Sequence, residues 1–269
     1  MGTTGETGWR DTNRAMWDER VPAHAASAFY DLDGVVAGRD DLRPWEDGEL
    51  GSLDKLDVIH LQCHIGTDTV ALARRGARVV GLDFSQAALD VAAQLAHRCR
   101  LSIEWVGADV YDAVAAVGGR RFDLVYTGVG ALGWLPELPG WARTVAGLLR
   151  PGGALYLSEL HPMWAALVDD GLTICQHAID AEFTRWDDEG SYAAPEEVFD
   201  NNKGWERLHS IGDVVSAVLE AGLHLELFHE FDVTPSPTPW LERGHDGLYR
   251  FPAGMLRFPL CYSLRARRS

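Results

Sequence analysis

The sequence predicts an α/β fold built on a parallel sheet, and three observations carry that prediction. Between residues 57 and 159, short apolar runs alternate with helical patterns through brief connections. The runs are apolar on both faces, as a sheet covered by helices requires. The stretch DVIHLQCHIGTDTVALARRGARVVGLDFS, residues 57–85, has the layout strand, tight turn, helix, strand, acidic residue. That layout suits a nucleotide-binding βαβ unit, which offers a helix N-terminus to the ligand's anionic part and a carboxylate to its ribose.

The elements follow in order. Residues 1–8, MGTTGETG, are small and polar and read as a disordered tail. Asp11 is placed to cap a helix running through Trp17. The next stretch is rich in aromatics, with Phe29 and Tyr30 close to its end, and reads as a cap over the body. A short helix is expected in LRPWEDGEL, and residues 1–52 together form a tail and cap. The body, 53–269, opens with a strand over 57–61. A helix follows from about Asp68 to Gly76, where a left-handed residue belongs. A second strand is expected over 77–82, with Ser85 capping a long alanine-rich helix. Further strands are expected over 103–106, 122–126 and 154–159, separated by a brief helix at 110–117 and a longer one at 138–149. From His161 to His209 the pattern breaks into scattered aromatics among acids and turn residues, read as an inserted lobe or hairpin. Ser210 and Asp213 form a capping box for the next helix. Strands over 223–228 and 260–265 close the chain, with a Pro- and Gly-dense loop between them.

Composition narrows the function. The 269 residues carry a formal net charge of −16, from 24 basic and 40 acidic side chains. Such a surface repels phosphate backbones, so nucleic acid is not an expected partner, and the terminal Arg265, Arg267 and Arg268 read as a solvated end. Cys63, Cys99, Cys175 and Cys261 lack paired metal spacing, so no metal is expected. No apolar run approaches the ~20 residues of a membrane span, and no leader is visible. The expectation is a cytoplasmic protein, monomer or homodimer, with reduced thiols and a small-molecule substrate.

Four landmarks in this order resemble the class I S-adenosylmethionine-dependent methyltransferases, strongly over residues 53–160 and more weakly over 210–266. They are Gly66-Thr67-Asp68-Thr69 in the first turn, Asp83 ending the second strand, Asp109 after the third, and FDLVYTG followed by LLRPGGALYL. The resemblance implies a Rossmann-like sheet of seven strands, mostly parallel with the last strand antiparallel, and S-adenosyl-L-methionine as cofactor. It implies Asp83 for the ribose hydroxyls, Asp109 for the adenine amino group with Val110 beside the ring, and Phe84 over one adenine face. Gln62, His64, Gly66, Thr67, Ser85, Thr127 and Gly128 complete the expected cofactor contacts, Gln62 and Thr127-Gly128 facing the methionine side. The family's first loop carries an acid and then three glycines at alternate positions. Here those positions are His60, Gln62, His64 and Gly66, so Gln62 and His64 must adopt ordinary φ or bear strain. A bacterial subset with LQCH in this turn looks similar from WDER to the final YSLRA.

Methyl transfer from a sulfonium is an in-line displacement that needs a positioned nucleophile and exclusion of water. A small aromatic or heteroaromatic acceptor, methylated at O or N, is the expected substrate. His161, just past the fifth strand, is the expected general base, or else a backbone-bonded strand-end histidine. Tyr30 is the second catalytic candidate. Trp17, His24, Trp134, Trp164, Trp186 and Tyr192 are the expected acceptor pocket. Two other readings keep the fold: a non-methylating reaction polarised by the sulfonium, and a non-catalytic binding protein.

Overall fold

The computed structural model describes residues 8–167, 173–174, 177–187 and 189–269. Residues 1–7 of the expected tail and Cys175 lie outside them. The chain begins with α1 (Gly8–Ala26), α2 (Leu32–Ala37) and α3 (Pro44–Leu50). Helix α1 therefore starts three residues before Asp11, which lies inside the first turn and pairs with Arg14 instead of capping.

The body alternates as read: β1 (Asp57–Leu61), α4 (Thr67–Arg74), β2 (Arg78–Asp83), α5 (Gln86–Arg98) and β3 (Glu104–Gly107). Gly76, at φ 88°, reverses the chain after α4. The Ser85 hydroxyl caps α5 by accepting from the Ala88 N–H at 3.0 Å. A short 3₁₀ turn and α6 (Ala113–Ala116) lead to β4 (Phe122–Thr127), α7 (Leu138–Leu148) and β5 (Leu149–Leu160). Strand β5 starts five residues earlier than expected because Leu149 already pairs with Phe122, and the RPGG residues form an irregularity before the ladder resumes at Ala154.

After β5 come α8 (Pro162–Ala165) and an antiparallel pair of β6 (Thr184–Asp187) with β7 (Lys203–Glu206), within the residues read as a lobe. Helix α9 (Ile211–Glu220) has the Ser210–Asp213 capping box, and β8 (Leu223–Phe231) follows. The segment expected to be a loop instead forms a small sheet of β9 (Val233–Thr234), β10 (Glu242–Arg243) and β11 (Tyr249–Arg250). Two-residue ladders punctuated by Pro and Gly leave too little alternation to read from sequence. Strand β12 (Cys261–Arg268) ends the chain.

The seven-stranded sheet has the order β3-β2-β1-β4-β5-β12-β8. Neighbours from β3 to β5 are parallel, and β12 runs antiparallel to both β5 and β8. Alternate side chains fill two layers. Ile59, Val125, Leu155 and Leu157 pack on Trp141, Val145 and Val218 from α7 and α9. Val58, Val79, Leu124 and Tyr156 pack on Leu53 and Leu72 on the other face. The strand order reverses between β1 and β4, and a ligand crevice is expected outside the strand ends there.

Helix α1 lies over that crevice and is tied to the lobe. The Asn13 side chain donates to the Trp205 carbonyl at 3.0 Å and accepts its N–H at 2.8 Å. Glu19 accepts the N–H groups of Asp200 and Asn201, and the Arg20 guanidinium lies over the Phe199 ring. Cap and lobe thus form one roof.

Candidate functional site

A cavity of about 830 Å³ opens at the C-terminal ends of β1, β2 and β4, beneath this roof. Its floor is the turn after β1. Gln62 (φ 55°), His64 (φ 47°) and Gly66 (φ 78°) are all left-handed. The turn thus keeps the backbone that glycines normally supply, and two side-chain-bearing residues bear the strain, about 1 kcal/mol or more each. Local bonds offset it. The Gln62 amide donates to the Ala131 carbonyl at 2.9 Å, and the His64 N–H donates to Asp83 Oδ2 at 2.8 Å. At Gly66 a Cβ would lie 2.7 Å from the Trp105 ring and 2.9 Å from the Ala92 methyl. Only this third position excludes a side chain sterically.

Asp83 ends β2 and is 6% exposed. Its Oδ1 accepts the Ser85 N–H at 2.9 Å. Burial pushes its carboxyl up to about 6, against the pull of the Ser85, His64 and Phe84 N–H groups. Asp109 accepts the Tyr111 N–H through Oδ1 and pairs with Arg10 of α1 through Oδ2 at 2.8 Å. Phe84, Val110, Thr67 and Gly128 line the same cavity, and Arg14 lies over Phe84 with its guanidinium 5.7 Å from the ring centre. Two expected contacts fall outside it. The Ser85 hydroxyl is taken by the α5 cap and by Asp18, and Thr127 is wholly buried inside β4 with its hydroxyl unpartnered.

At the opposite end Arg43 donates to Asp68 at 2.8 Å, both lining the cavity. His60 is buried and bonds the Thr69 hydroxyl at 2.8 Å. Gln62 Oε1 is buried without a hydrogen-bond partner. A donor-rich ligand group suits that orphaned acceptor.

The cavity's outer wall is aromatic. Trp17 meets Trp134 edge-on at 5.0 Å and the His64 ring at 5.1 Å. Tyr30, Tyr192 and Trp164 complete it. The Tyr30 and Tyr192 hydroxyls are hydrogen-bonded to each other, and burial holds the Tyr30 phenol well above its usual range. Burial thus favours the neutral phenol at Tyr30. Trp186 packs over Gly204 behind Trp134, off the lining.

His161 is not placed to act as a base. It lies off the cavity, its Nδ1 accepting the Met163 N–H at 3.1 Å and its Nε2 bound to Glu230 at 3.1 Å. The proline after it starts α8, and His161 is that helix's cap. His24 is fully buried behind His64, which does line the cavity. Burial pushes His24 down to about 4 and His64 to about 3, and His60 and His209 to about 4. Each of these depressed histidines contributes stability that is present above its unfolded pKa near ~6.5 and lost as pH falls towards the folded value. Asp83 works in the opposite sense, since its raised carboxyl favours folding below ~4 and loses that contribution as pH rises through about 6. Ring-proton shifts of these four histidines are expected to stay flat from pH 7.5 to 5.5 by NMR. A midpoint near 6.5 at any of them would show that its ring is solvated.

Sequence reading missed Arg10, Arg43 and Glu159. Arg43 left no signal beyond preceding a proline. Glu159, next to last in β5, accepts the N–H groups of Gly130, Ala131 and Leu132, which fixes the loop after β4. Among the described residues no three His, Cys, Asp or Glu side chains converge to hold a metal. No described helix is long and apolar enough to cross a membrane.

The chain is similar to known methyltransferases in part of its sequence and in its fold. Residues 25–155 match a methyltransferase domain family. The structure has the fold of an S-adenosylmethionine-dependent methyltransferase from Mesorhizobium loti, with TM-score 0.56 at 20% identity over 87% of this chain and all of the other. A magnesium protoporphyrin IX methyltransferase from Synechocystis, solved with bound S-adenosylhomocysteine, aligns at TM-score 0.51 and 20% identity over 99% of this chain and 95% of that one. Residues 25–155 are thus similar to a methyltransferase domain, and the chain shares its fold with S-adenosylmethionine-dependent methyltransferases. In sequence it is similar to a ubiquinone biosynthesis O-methyltransferase from Methylobacterium nodulans, 29% identical over 153 residues, or 54% of this chain. The match spans 58% of that relative's length.

Proposed function

We propose that this protein transfers a methyl group from S-adenosylmethionine to a hydroxyl oxygen of a small aromatic molecule. The observation that carries the reading is the junction of two unlike halves in one cavity. One half presents carboxylates at Asp83 and Asp109 and an orphaned acceptor at Gln62; the other is walled by Trp17, Trp134, Tyr30 and Tyr192. When bound, the cofactor supplies an electrophilic methyl on a sulfonium.

The chain's own residues do the rest. Asp83 accepts the ribose hydroxyls, Asp109 shares its Oδ2 between Arg10 and the adenine amino group, and Val110 and Phe84 flank the ring. Gln62 Oε1 accepts from the amino-acid ammonium, and the Arg43–Asp68 pair matches the two charges of that end. The aromatic wall holds a planar acceptor and tolerates a cationic sulfonium at close range. The roof of α1 and the β6–β7 pair keeps water from competing. Two further observations favour a small neutral acceptor: the net charge of −16 opposes a nucleic acid, and the pocket wall is apolar. Oxygen is preferred over nitrogen because the sequence relatives are named as O-methyltransferases.

Calorimetry with S-adenosylhomocysteine, followed by mass spectrometry of reactions with a panel of phenols and catechols, tests the reading. Saturable binding and a product carrying one added methyl are expected. Absence of binding sinks it, and so does binding with no methylated product from any member of the panel.

A further inference from the structure

We propose that His64, His24 and Ser191 form a proton exit that carries the acceptor's hydroxyl proton out of the cavity to solvent. The inference rests on the methyl-transfer reading above and supplies the base that His161 does not.

Three positions far apart in sequence meet in one line. His64 Nε2 lies 3.0 Å from His24 Nδ1, and His24 Nε2 lies 2.7 Å from the Ser191 hydroxyl. His64 lines the cavity, and its Nδ1 has no hydrogen bond to a described residue. His24 is fully buried, and Ser191 is partly exposed next to Tyr192, which is half exposed. The line therefore starts at the acceptor pocket, crosses a dry segment and ends near water. Neighbouring groups hold it in place. The Tyr30 ring stacks on His24 at 5.4 Å, Trp17 meets both imidazoles edge-on, and Asp83 fixes the His64 backbone. The charged groups facing the pair are Arg20, one turn before His24 on α1, and the Asp83 carboxylate; the other titratable neighbours are the Tyr30 and Tyr192 phenols.

The chemistry balances with the groups present. At the start His64 Nε2–H donates to His24 Nδ1, His24 Nε2–H donates to Ser191 Oγ, and the serine proton faces solvent. Forming the O–CH₃ bond leaves the C–S electron pair on sulfur and frees the acceptor's hydroxyl proton. That proton arrives at His64 Nδ1, each hydrogen bond in the line reverses, and the serine proton passes to water. Neither imidazole has to hold a charge, which suits rings that burial and the Arg20 cation keep neutral. Exchange with water at Ser191 and in the emptied cavity restores the first tautomers. His64 touches the acceptor and is catalytic in this scheme. His24 and Ser191 act through it.

The test uses the full chain and compares two acceptors, 4-nitrophenol, which is ionised at mildly alkaline pH, and 4-methoxyphenol, which is not. In His24→Gln, whose amide can bond to His64 but cannot relay a proton, kcat for 4-methoxyphenol is expected to fall about 100-fold. The loss for 4-nitrophenol should be at least tenfold smaller, on the same principle of base assistance. Ser191→Ala should show the same ordering with a smaller loss, and affinity for S-adenosylhomocysteine by calorimetry should hold in both variants. A solvent deuterium isotope effect on kcat should appear for 4-methoxyphenol in the wild type and shrink in Ser191→Ala. Equal losses for the two phenols, or a matching loss of cofactor-product affinity, would mean that the histidines only fill space and would overturn the exit. If the wild type binds S-adenosylhomocysteine but methylates neither phenol, the methyl-acceptor reading falls and the exit falls with it.

Discussion

Replacing Asp83 by alanine is expected to weaken S-adenosylhomocysteine binding by about 100-fold or more. Two hydrogen bonds from ribose hydroxyls to a carboxylate contribute about 1.5 kcal/mol or more each, and 3 kcal/mol is roughly a factor of 150. The carboxylate also accepts the backbone N–H groups of His64 in the turn and of Ser85 at the start of α5, so D83N, which keeps the shape, is the companion variant. Burial has raised this carboxyl to about 6. Ribose hydroxyls need the ionised form as acceptor, so affinity should fall as pH drops below 6, by up to about tenfold per pH unit. D83N should lack that slope. Titration calorimetry from pH 5 to 8 reads both effects, and a wild-type affinity flat across that range would refute the assignment.

The second large effect is expected at Gly66. G66A should destabilise the fold by about 2–4 kcal/mol, the sum of a left-handed alanine and an overpacked contact. The neighbouring residues decide which of the two dominates. Gln62 and His64 carry side chains at φ 55° and 47° in the same turn, so positive φ alone is tolerable there. At Gly66 the new methyl meets Trp105 at 2.7 Å, and Trp105 is itself wedged over Gly81. Urea denaturation should therefore show G66A far below wild type, while Q62G and H64G stay within about 1 kcal/mol of it. Equal behaviour of all three would place the cost in backbone strain and not in packing.

The sheet was legible because its strands are short apolar runs bounded by glycine, serine and aspartate, each with a local physical meaning. Ser85, Gly76 and the Ser210–Asp213 box sit where their capping chemistry predicts. The carboxylate end of the cavity was legible for the same reason, since Asp83, Asp109 and Gly66 are fixed by strand ends and a tight turn. The aromatic end was not. Trp186 and Trp134 look alike in sequence, but one packs over Gly204 and only the other reaches the cavity. His161 looked like a base because it follows a strand at the right sheet edge. Its own helix-capping bond to Met163 claims one ring nitrogen, and Glu230, from a strand 69 residues later, claims the other. Local pattern names which elements exist; which side chain turns inward is decided by partners far along the chain.

The roof illustrates that distance. Helix α1 precedes every strand of the sheet, yet its holds on the lobe are Asn13 to Trp205, 192 residues apart, and Glu19 to Asp200, 181 residues apart. Contacts of such separation close the largest loops and tend to form late. During synthesis the first five strands can pair through local crossovers while α1 still lacks its partner segment. The roof completes only after residue 206 has left the ribosome. Until then the nascent chain exposes Trp9, whose ring meets Phe183 of the late segment edge-on in the finished fold and is almost completely covered there. The same long reach that dries the cavity thus gives this chain an extended window in which it is prone to aggregate.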